Sequence, residues 1–267
     1  MRTGRCGKGG IWKCVAIAAA ALAGGCHYYY MVKAELQQTN EMFVQPFISR
    51  SVMTWNVNAA LGTDGVRSVE RVAEVLKRAD ADVAALQEID RRTKRAGGVD
   101  QLEELERLTG LKSVWCHVGD RDEGEVGMAF LVKDLPAKTS NVDLPGGGKA
   151  VVAEYPAFTV GMARFPEKAE DRDAAVAKLA GMVERTRPFL LVGDWGEEPT
   201  SEFLQRLRRS FAVISGFSPT YPADGPVSCV DYVTVSRRHL SRWEHVTHKV
   251  LDEPIASDHR PVLVKVR

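Results

Sequence analysis

The sequence predicts a single α/β domain over residues 51–267, in which two packed β-sheets carry helices on their outer faces. Three observations support this. Short β-branched or aromatic runs recur along the chain, and several follow one another with no helix between them, which argues against a purely parallel, doubly wound sheet. Only a few segments carry the apolar period of a helix. No internal repeat or low-complexity linker interrupts residues 51–267, so one domain accounts for them.

The elements follow in order. Ser51 to Val57 reads as a strand, and Leu61-Gly62-Thr63-Asp64-Gly65 as a loop. Val69, Val72, Ala73 and Leu76 recur at helical spacing, and Asp82 to Glu88 is a short, mostly apolar run that suits a buried strand. Asp100 and Glu103 form a capping box ahead of a helix whose inner stripe is Leu102, Leu105 and Leu108, and Gly110 ends it. Leu111 to Val118, Val126 to Lys133, Ala150 to Glu154 and Ala157 to Arg164 are strand candidates, with a turn at Leu144-Pro145-Gly146-Gly147-Gly148. Asp171 opens a helix with Val176, Leu179, Ala180 and Val183 inside. Thr200 or Ser201 caps a shorter one with Phe203, Leu204 and Leu207 inside. Phe189 to Val192, Phe211 to Ile214, Cys229 to Val235, Val246 to Leu251 and Val262 to Val266 complete the strands.

Residues 1–50 stand apart from this pattern. Arg2, Arg5, Lys8 and Lys13 precede an apolar run, Val15 to Ala23, which meets Gly24-Gly25-Cys26. Basic, apolar and small-residue regions in that order are the pattern of a secretory signal, and the run is short for a bilayer span. A cysteine after small residues resembles a bacterial lipobox, although Ala23 stands where a large aliphatic residue is usual and Leu22 lies one position earlier. The expectation is a signal over 1–25, a lipidated Cys26 and a tether over 26–50, which would place the protein on a membrane of the cell envelope. The alternative is a plain signal or anchor with an incidental cysteine. Cys116 and Cys229 then remain, either as a disulfide of an oxidising compartment or as two small buried residues.

Hydrophobic residues make up 45% of the chain, enough for a substantial core. Lysine and arginine number 36 against 35 acids, and that balance argues against non-specific binding of nucleic acid through its phosphates.

Polar groups occur at strand ends where burial is otherwise the rule. Val52-Met53-Thr54-Trp55-Asn56 ends in an amide, Leu86-Gln87-Glu88 and Val192-Gly193-Asp194 end in acids, and Asp231 sits within the run Cys229 to Val235. Asp258 and His259 stand side by side before the last strand. Each alone reads better as a turn or helix cap. Together they are four acids, an amide and an imidazole. Clustered carboxylates raise one another's pKa unless a cation or proton intervenes, and an oxygen-rich set with one nitrogen favours magnesium, manganese or calcium over zinc.

Asn56 at a strand end, Leu86-Gln87-Glu88, Gly193-Asp194, Asp231-Tyr232 and Ser257-Asp258-His259, in this order and spacing, resemble the endonuclease/exonuclease/phosphatase superfamily with its DNase-I-like fold. Thr63-Asp64-Gly65, the segment Ala81 to Glu88 and Gly97-Gly98-Val99-Asp100-Gln101 are similar to its secreted bacterial hydrolase branch. The resemblance spans Ser51 to Arg267. It implies a four-layer sandwich of two packed mixed sheets flanked by helices, with the site at one edge. It also implies a metal-dependent phosphoesterase using Mg2+ or Mn2+. Glu88, Asn56 and Asp258 would serve the metal, Asp231 would orient His259, His259 would meet the phosphate or move a proton, and Asp194 would position or activate water. Arg91 and Arg164 are candidate phosphate ligands, and Arg92, Lys94 and Arg95 follow Glu88 closely enough to add charge. The expected substrate is a phosphate ester, a lipid head group or a small envelope metabolite, with nucleic acid less favoured. The expected form is a monomer.

Two positions depart from the family pattern. Its Gly-Asp-x-Asn reads Gly193-Asp194-Trp195-Gly196, so an amide is missing, and its Thr-His-Leu strand end reads Gly161-Met162-Ala163-Arg164, with no histidine. Asn58 stands where near relatives often carry histidine. Removing one transition-state donor costs about a hundred- to a thousand-fold in rate. The departures therefore leave a slow enzyme, an enzyme with altered substrate demands, or a binding or scaffold lipoprotein that keeps only the fold.

Overall fold

The computed structural model describes residues 50–242 and 246–267. The expected signal, Cys26 and the tether up to residue 49 lie outside the described residues. Among the described residues, twelve strands form two six-stranded sheets. The first holds β1 (Arg50–Asn56), β2 (Val83–Arg91), β3 (Lys112–Arg121), β4 (Gly124–Val132), β11 (Val246–Val250) and β12 (Val262–Val266), in the order β11-β12-β1-β2-β4-β3. The second holds β5 (Lys138–Asp143), β6 (Lys149–Glu154), β7 (Thr159–Arg164), β8 (Phe189–Asp194), β9 (Phe211–Val213) and β10 (Asp231–Ser236), in the order β5-β6-β7-β8-β10-β9. Both sheets are mixed: β1 with β2 and β7 with β8 run parallel, and the other pairs run antiparallel.

The parallel pairs need crossovers, and helices supply them. α1 (Val69–Ala79) joins β1 to β2, with the Ser68 hydroxyl accepting from the Arg71 amide. α3 (Ala169–Gly181) joins β7 to β8. α2 (Gln101–Thr109) is capped by the Asp100 carboxylate, which accepts from the Glu103 amide, and it ends at Gly110 with φ +73°. α4 (Glu202–Leu207) is capped by Ser201. α3 starts two residues before the expected Asp171 because its N-cap, Lys168, makes no side-chain cap and leaves no signature in the sequence.

Three apolar clusters stack the layers. The first fills the space between the sheets and includes Val52, Ala85, Phe130, Val160, Met162, Val192, Val233 and Val264. The second joins the first sheet to α1 and α2, through Met53, Trp55, Leu86 and Leu131 against Val72, Leu76, Leu102 and Leu105. The third joins the second sheet to α3 and α4, through Leu191 and Phe189 against Leu179, Phe203 and Leu207. Successive strand residues face opposite sides, so Val52 enters one cluster and Met53 the other. Central strands buried on both faces read as continuous apolar runs for this reason. The result is the expected sandwich of two sheets between helical layers. Cys116 and Cys229 are free and buried, the first in the inter-sheet cluster and the second in the third cluster.

The inter-sheet rows position the site. Along β1 the row facing the other sheet runs Val52, Thr54, Asn56; along β2 it runs Val83, Ala85, Gln87. Along β8 it runs Leu190, Val192, Asp194; along β10, from the far end, Val235, Val233, Asp231. Each row is apolar through the core and turns polar at one end. Parallel β1 and β2 and antiparallel β8 and β10 bring those four polar ends to the same edge, with Asn56 beside Gln87 and Asp231 directly opposite Asp194.

Candidate active site

Glu88 would face the helical layer if β2 stayed regular, because Gln87 faces the other sheet. A bulge re-aims it. The pairing of β2 with β4 shifts between Leu86 and Ile89, and Glu88 takes a positive φ of 57°. Its carboxylate thereby accepts from Asn56 Nδ2 at 3.0 Å and lies exposed in the site, with no ion-pair partner among the described residues. Asn56 Nδ2 also donates to Asp194 Oδ2 at 2.9 Å, and its own carbonyl group accepts from the Asn58 amide. Behind this pair, Gln87 is held by Thr54 and by Met162 Sδ.

The loop before β12 is fixed from three sides. The Trp55 indole N–H donates to the His259 carbonyl at 2.8 Å, and the Ser257 hydroxyl donates to the Asn56 carbonyl at 2.7 Å. The Ala223 amide donates to the Asp258 carbonyl, and the Tyr221 ring lies 4.8 Å from the His259 ring. This places His259 Nδ1 3.0 Å from Asp231 Oδ2, as the family resemblance implies. Nε2 points toward Asp194 Oδ2 at 3.7 Å.

The electrostatics follow from that crowding. Burial pushes Asp194 upward first, and the Asp231 charge directly across the ladder adds to it; His259 and Asn56 oppose them. Burial works against a charged His259, but its hydrogen bond to Asp231 and the charges of Asp231, Asp194 and Asp258 outweigh that and push it up to about 9. The imidazole is therefore protonated at neutral pH when no cation is bound.

Asp231 is 1% exposed, and its Oδ1 has no hydrogen-bond partner among the described residues. Asp194, Asp231 and His259 offer ligand atoms within 4.8 Å of one another. An orphaned buried carboxylate oxygen, an unpaired Glu88 carboxylate and an oxygen-rich set with one nitrogen fit a hard divalent cation. Glu88 is exposed to solvent and to such an ion, and Asn56, itself buried, holds it from behind at the cavity wall. Asp258 contributes charge to His259 but accepts from the Ser257 hydroxyl, and among the described residues no hydrogen bond joins it to Glu88 or Asn56.

The structure places the sequence candidates unequally. Asn56, Glu88, Asp194, Asp231 and His259 form one connected cluster. Asp231 is the first residue of β10, not an interior one. Arg164, two residues beyond Met162 on the same face of β7, lines a cavity of about 430 Å³ together with Asn56, Glu88 and Asp194. Arg91 does not. It turns away to Asp100 and Glu125 and packs over the Trp115 ring, because it lies past the bulge on the opposite side from Glu88. Arg95 lines the cavity in its stead, held by the buried Asp90 carboxylate at 2.5 and 2.7 Å. Sequence reasoning missed Arg121, Arg172, Tyr221 and Trp195, all at the cavity or against His259. None of the four carries a local signal; only the topology gathers them.

Comparison with known proteins agrees with this architecture. The model of the Endonuclease/Exonuclease/phosphatase family matches residues 53–259. No curated protein matches. Among solved structures, an endonuclease/exonuclease/phosphatase from Beutenbergia cavernae is similar at 21% identity and TM-score 0.62, over 82% of this chain and 71% of that one. A mannosyl-6-phosphatase from Bacteroides thetaiotaomicron is similar at 16% identity and TM-score 0.64, over 82% and 99%. The human Nocturnin catalytic domain with bound sulfate is similar at 18% identity and TM-score 0.58, over 82% and 94%. At these identities the structural likeness speaks for the fold.

Proposed function

The chain belongs to the endonuclease/exonuclease/phosphatase family, and from that premise we propose that residues 51–267 are a divalent-metal-dependent phosphoesterase acting on a small-molecule or lipid-borne phosphate ester. The observation that carries this reading is the convergence of Asp231, His259, Asp194, Asn56 and Glu88 from five segments of the chain into one hydrogen-bonded cluster.

The roles follow from the geometry. Asp231 accepts from His259 Nδ1, fixing the ring so that Nε2 faces the cluster. Protonated His259 can hydrogen-bond a phosphate oxygen through Nε2 or give that proton to a leaving oxygen. Asp194, raised by burial, is a stronger base than an ordinary aspartate and is placed to orient a water and take its proton. Asn56 holds Glu88 and Asp194 apart while bonding both. Glu88 and Asn56 would hold Mg2+ or Mn2+, which when bound supplies charge to the equatorial phosphate oxygens. A mannosyl-6-phosphatase and a sulfate-bound catalytic domain among the fold relatives are consistent with a phosphate-sized anion at this edge.

Cys26 is proposed as a lipidated first residue, with residues 26–50 as a leash, which would make the substrate one reachable from a membrane of the envelope. The near-neutral charge favours such substrates over nucleic acid.

A second reading rests on Gly196 and on Met162-Ala163-Arg164: a binding lipoprotein on a disarmed fold. A panel of phosphomonoesters and phosphodiesters, including head groups and nucleic acid, assayed with Mg2+ and Mn2+ decides between them. Turnover that is lost in Glu88→Gln and in His259→Ala supports the enzyme. Turnover unchanged in both variants sinks this site assignment, and no turnover of any ester leaves the binding reading.

A further inference from the structure

The cavity beside the acid cluster holds more positive charge than one phosphate requires. Four arginines line it. Two are already neutralised: Arg95 by the buried Asp90 at 2.5 and 2.7 Å, and Arg172 by Glu197. Arg121 and Arg164 are exposed and make no ion pair among the described residues. They approach from opposite sheets. Arg121 ends β3, where the chain turns through Asp122 and Glu123 with φ of 50° and 68°, and Arg164 ends β7. The scissile end is marked separately by Glu88, Asn56 and Asp194, and His259 and Asp231 lie on the far side of Asp194, outside the cavity lining. Two unpaired guanidinium groups in a concave site present fixed forks of donors to an anion, a geometry that matches a phosphoryl group. A cavity of about 430 Å³ suits a sugar- or nucleoside-sized body between the two ends.

We propose that Arg121 and Arg164 form a second anion subsite, so that the substrate is a small molecule bearing a second phosphoryl group besides the one attacked. The inference rests on the phosphoesterase reading of the acid cluster and names its substrate class. The second phosphoryl group bridges the gap between the two sheets at their open edge and supplies the counter-charge that Arg121 and Arg164 lack. The same group could be carried by a sugar, a nucleoside or a lipid head group, because the arginines recognise only the phosphoryl end.

The test uses a hexose 1,6-bisphosphate against the matching hexose 6-phosphate, with wild type, Arg121→Gln and Arg164→Gln. Both arginines are exposed, so folding is retained. Wild type should favour the bisphosphate in kcat/KM by at least tenfold. Each Gln variant should reduce that preference roughly tenfold to a hundredfold, as expected for one charge-assisted bond, and Arg→Lys should recover part of it. Equal use of both esters by wild type, or parallel loss on both in the variants, overturns the subsite while leaving the phosphoesterase reading intact. If neither hexose ester is turned over, the phosphoesterase reading is decided by the wider ester panel, and calorimetry in EDTA with the same two ligands decides the subsite alone. Tighter bisphosphate binding that both Gln variants abolish supports it, and equal binding of the two ligands overturns it.

Discussion

Asp231→Asn tests the arrangement at its most informative pair. His259 Nδ1 lies 3.0 Å from Asp231 Oδ2, and the ring is held at about 9 instead of the ordinary 6.5. That rise corresponds to about 3 kcal/mol in favour of the protonated folded state. The sign follows from the direction: a histidine raised in the folded state contributes this stability fully below 6.5 and loses it as pH rises through about 9. With asparagine at 231 the hydrogen bond persists, but its charge is gone and burial pulls the ring downward. The His259 midpoint, read by NMR on metal-free protein, should fall by at least one unit. Denaturant unfolding of wild type should show stability falling between pH 6.5 and 9, and Asp231→Asn should flatten that slope. The absolute loss of stability will be smaller than 3 kcal/mol, because the substitution also removes a buried acid with an orphaned oxygen. kcat/KM should fall roughly a hundred- to a thousand-fold. A His259 midpoint that does not move, with activity retained, would refute the reasoning.

Gly196→Asn should raise kcat/KM roughly tenfold or more at less than about 1 kcal/mol in stability, because a side chain there meets nothing within 4 Å and asparagine tolerates its φ of +63° better than most residues; lower activity in a folded variant would count against the missing-amide explanation. Trp55→Phe removes the indole donor to the His259 carbonyl and should cost about 1–2 kcal/mol and lower kcat more than it raises KM, read by urea unfolding and steady-state kinetics. Cys26→Ser in the native host should block lipidation and shift the protein out of the detergent phase; unchanged processing and partitioning would defeat the tether.

Much of the fold was legible because the central strands are buried on both faces and therefore written in apolar runs. The strand missed, β5, lies at a sheet edge. No residue in it is fully buried, and its sequence, Lys138-Thr139-Ser140-Asn141-Val142-Asp143, carries no core face to read. β2 and β3 each run three residues past their expected ends, one through the Glu88 bulge and one into a hairpin turn with no glycine at its centre. These two extensions decide where the arginines go. A regular β2 would send Arg91 to the inter-sheet face and Glu88 to the helical layer; the bulge exchanges them, bringing Glu88 into the site and turning Arg91 away. Arg121 reaches the cavity only because β3 continues past Val118. The acids were legible for the opposite reason: polar groups closing apolar rows leave a mark in the sequence, whereas exposed arginines do not.

The same contrast bears on whether the site is a relic. The departures from the family pattern, Gly196 and Arg164, line the cavity that faces a substrate. The Asp231–His259 pair lies deeper, nine-tenths or more buried, with one aspartate oxygen unpartnered and a second acid directly across the ladder. That arrangement is costly to the fold. An unpaired buried carboxylate oxygen and two opposed acids are destabilising, and apolar replacements of similar volume would relieve both. A protein using only the scaffold would gain by losing that pair before altering an open cavity wall. This chain shows the reverse. The energetically expensive part of the site is intact and the altered part is the open cavity wall, a pattern that favours the proposed enzyme with altered substrate demands over the proposed disarmed scaffold.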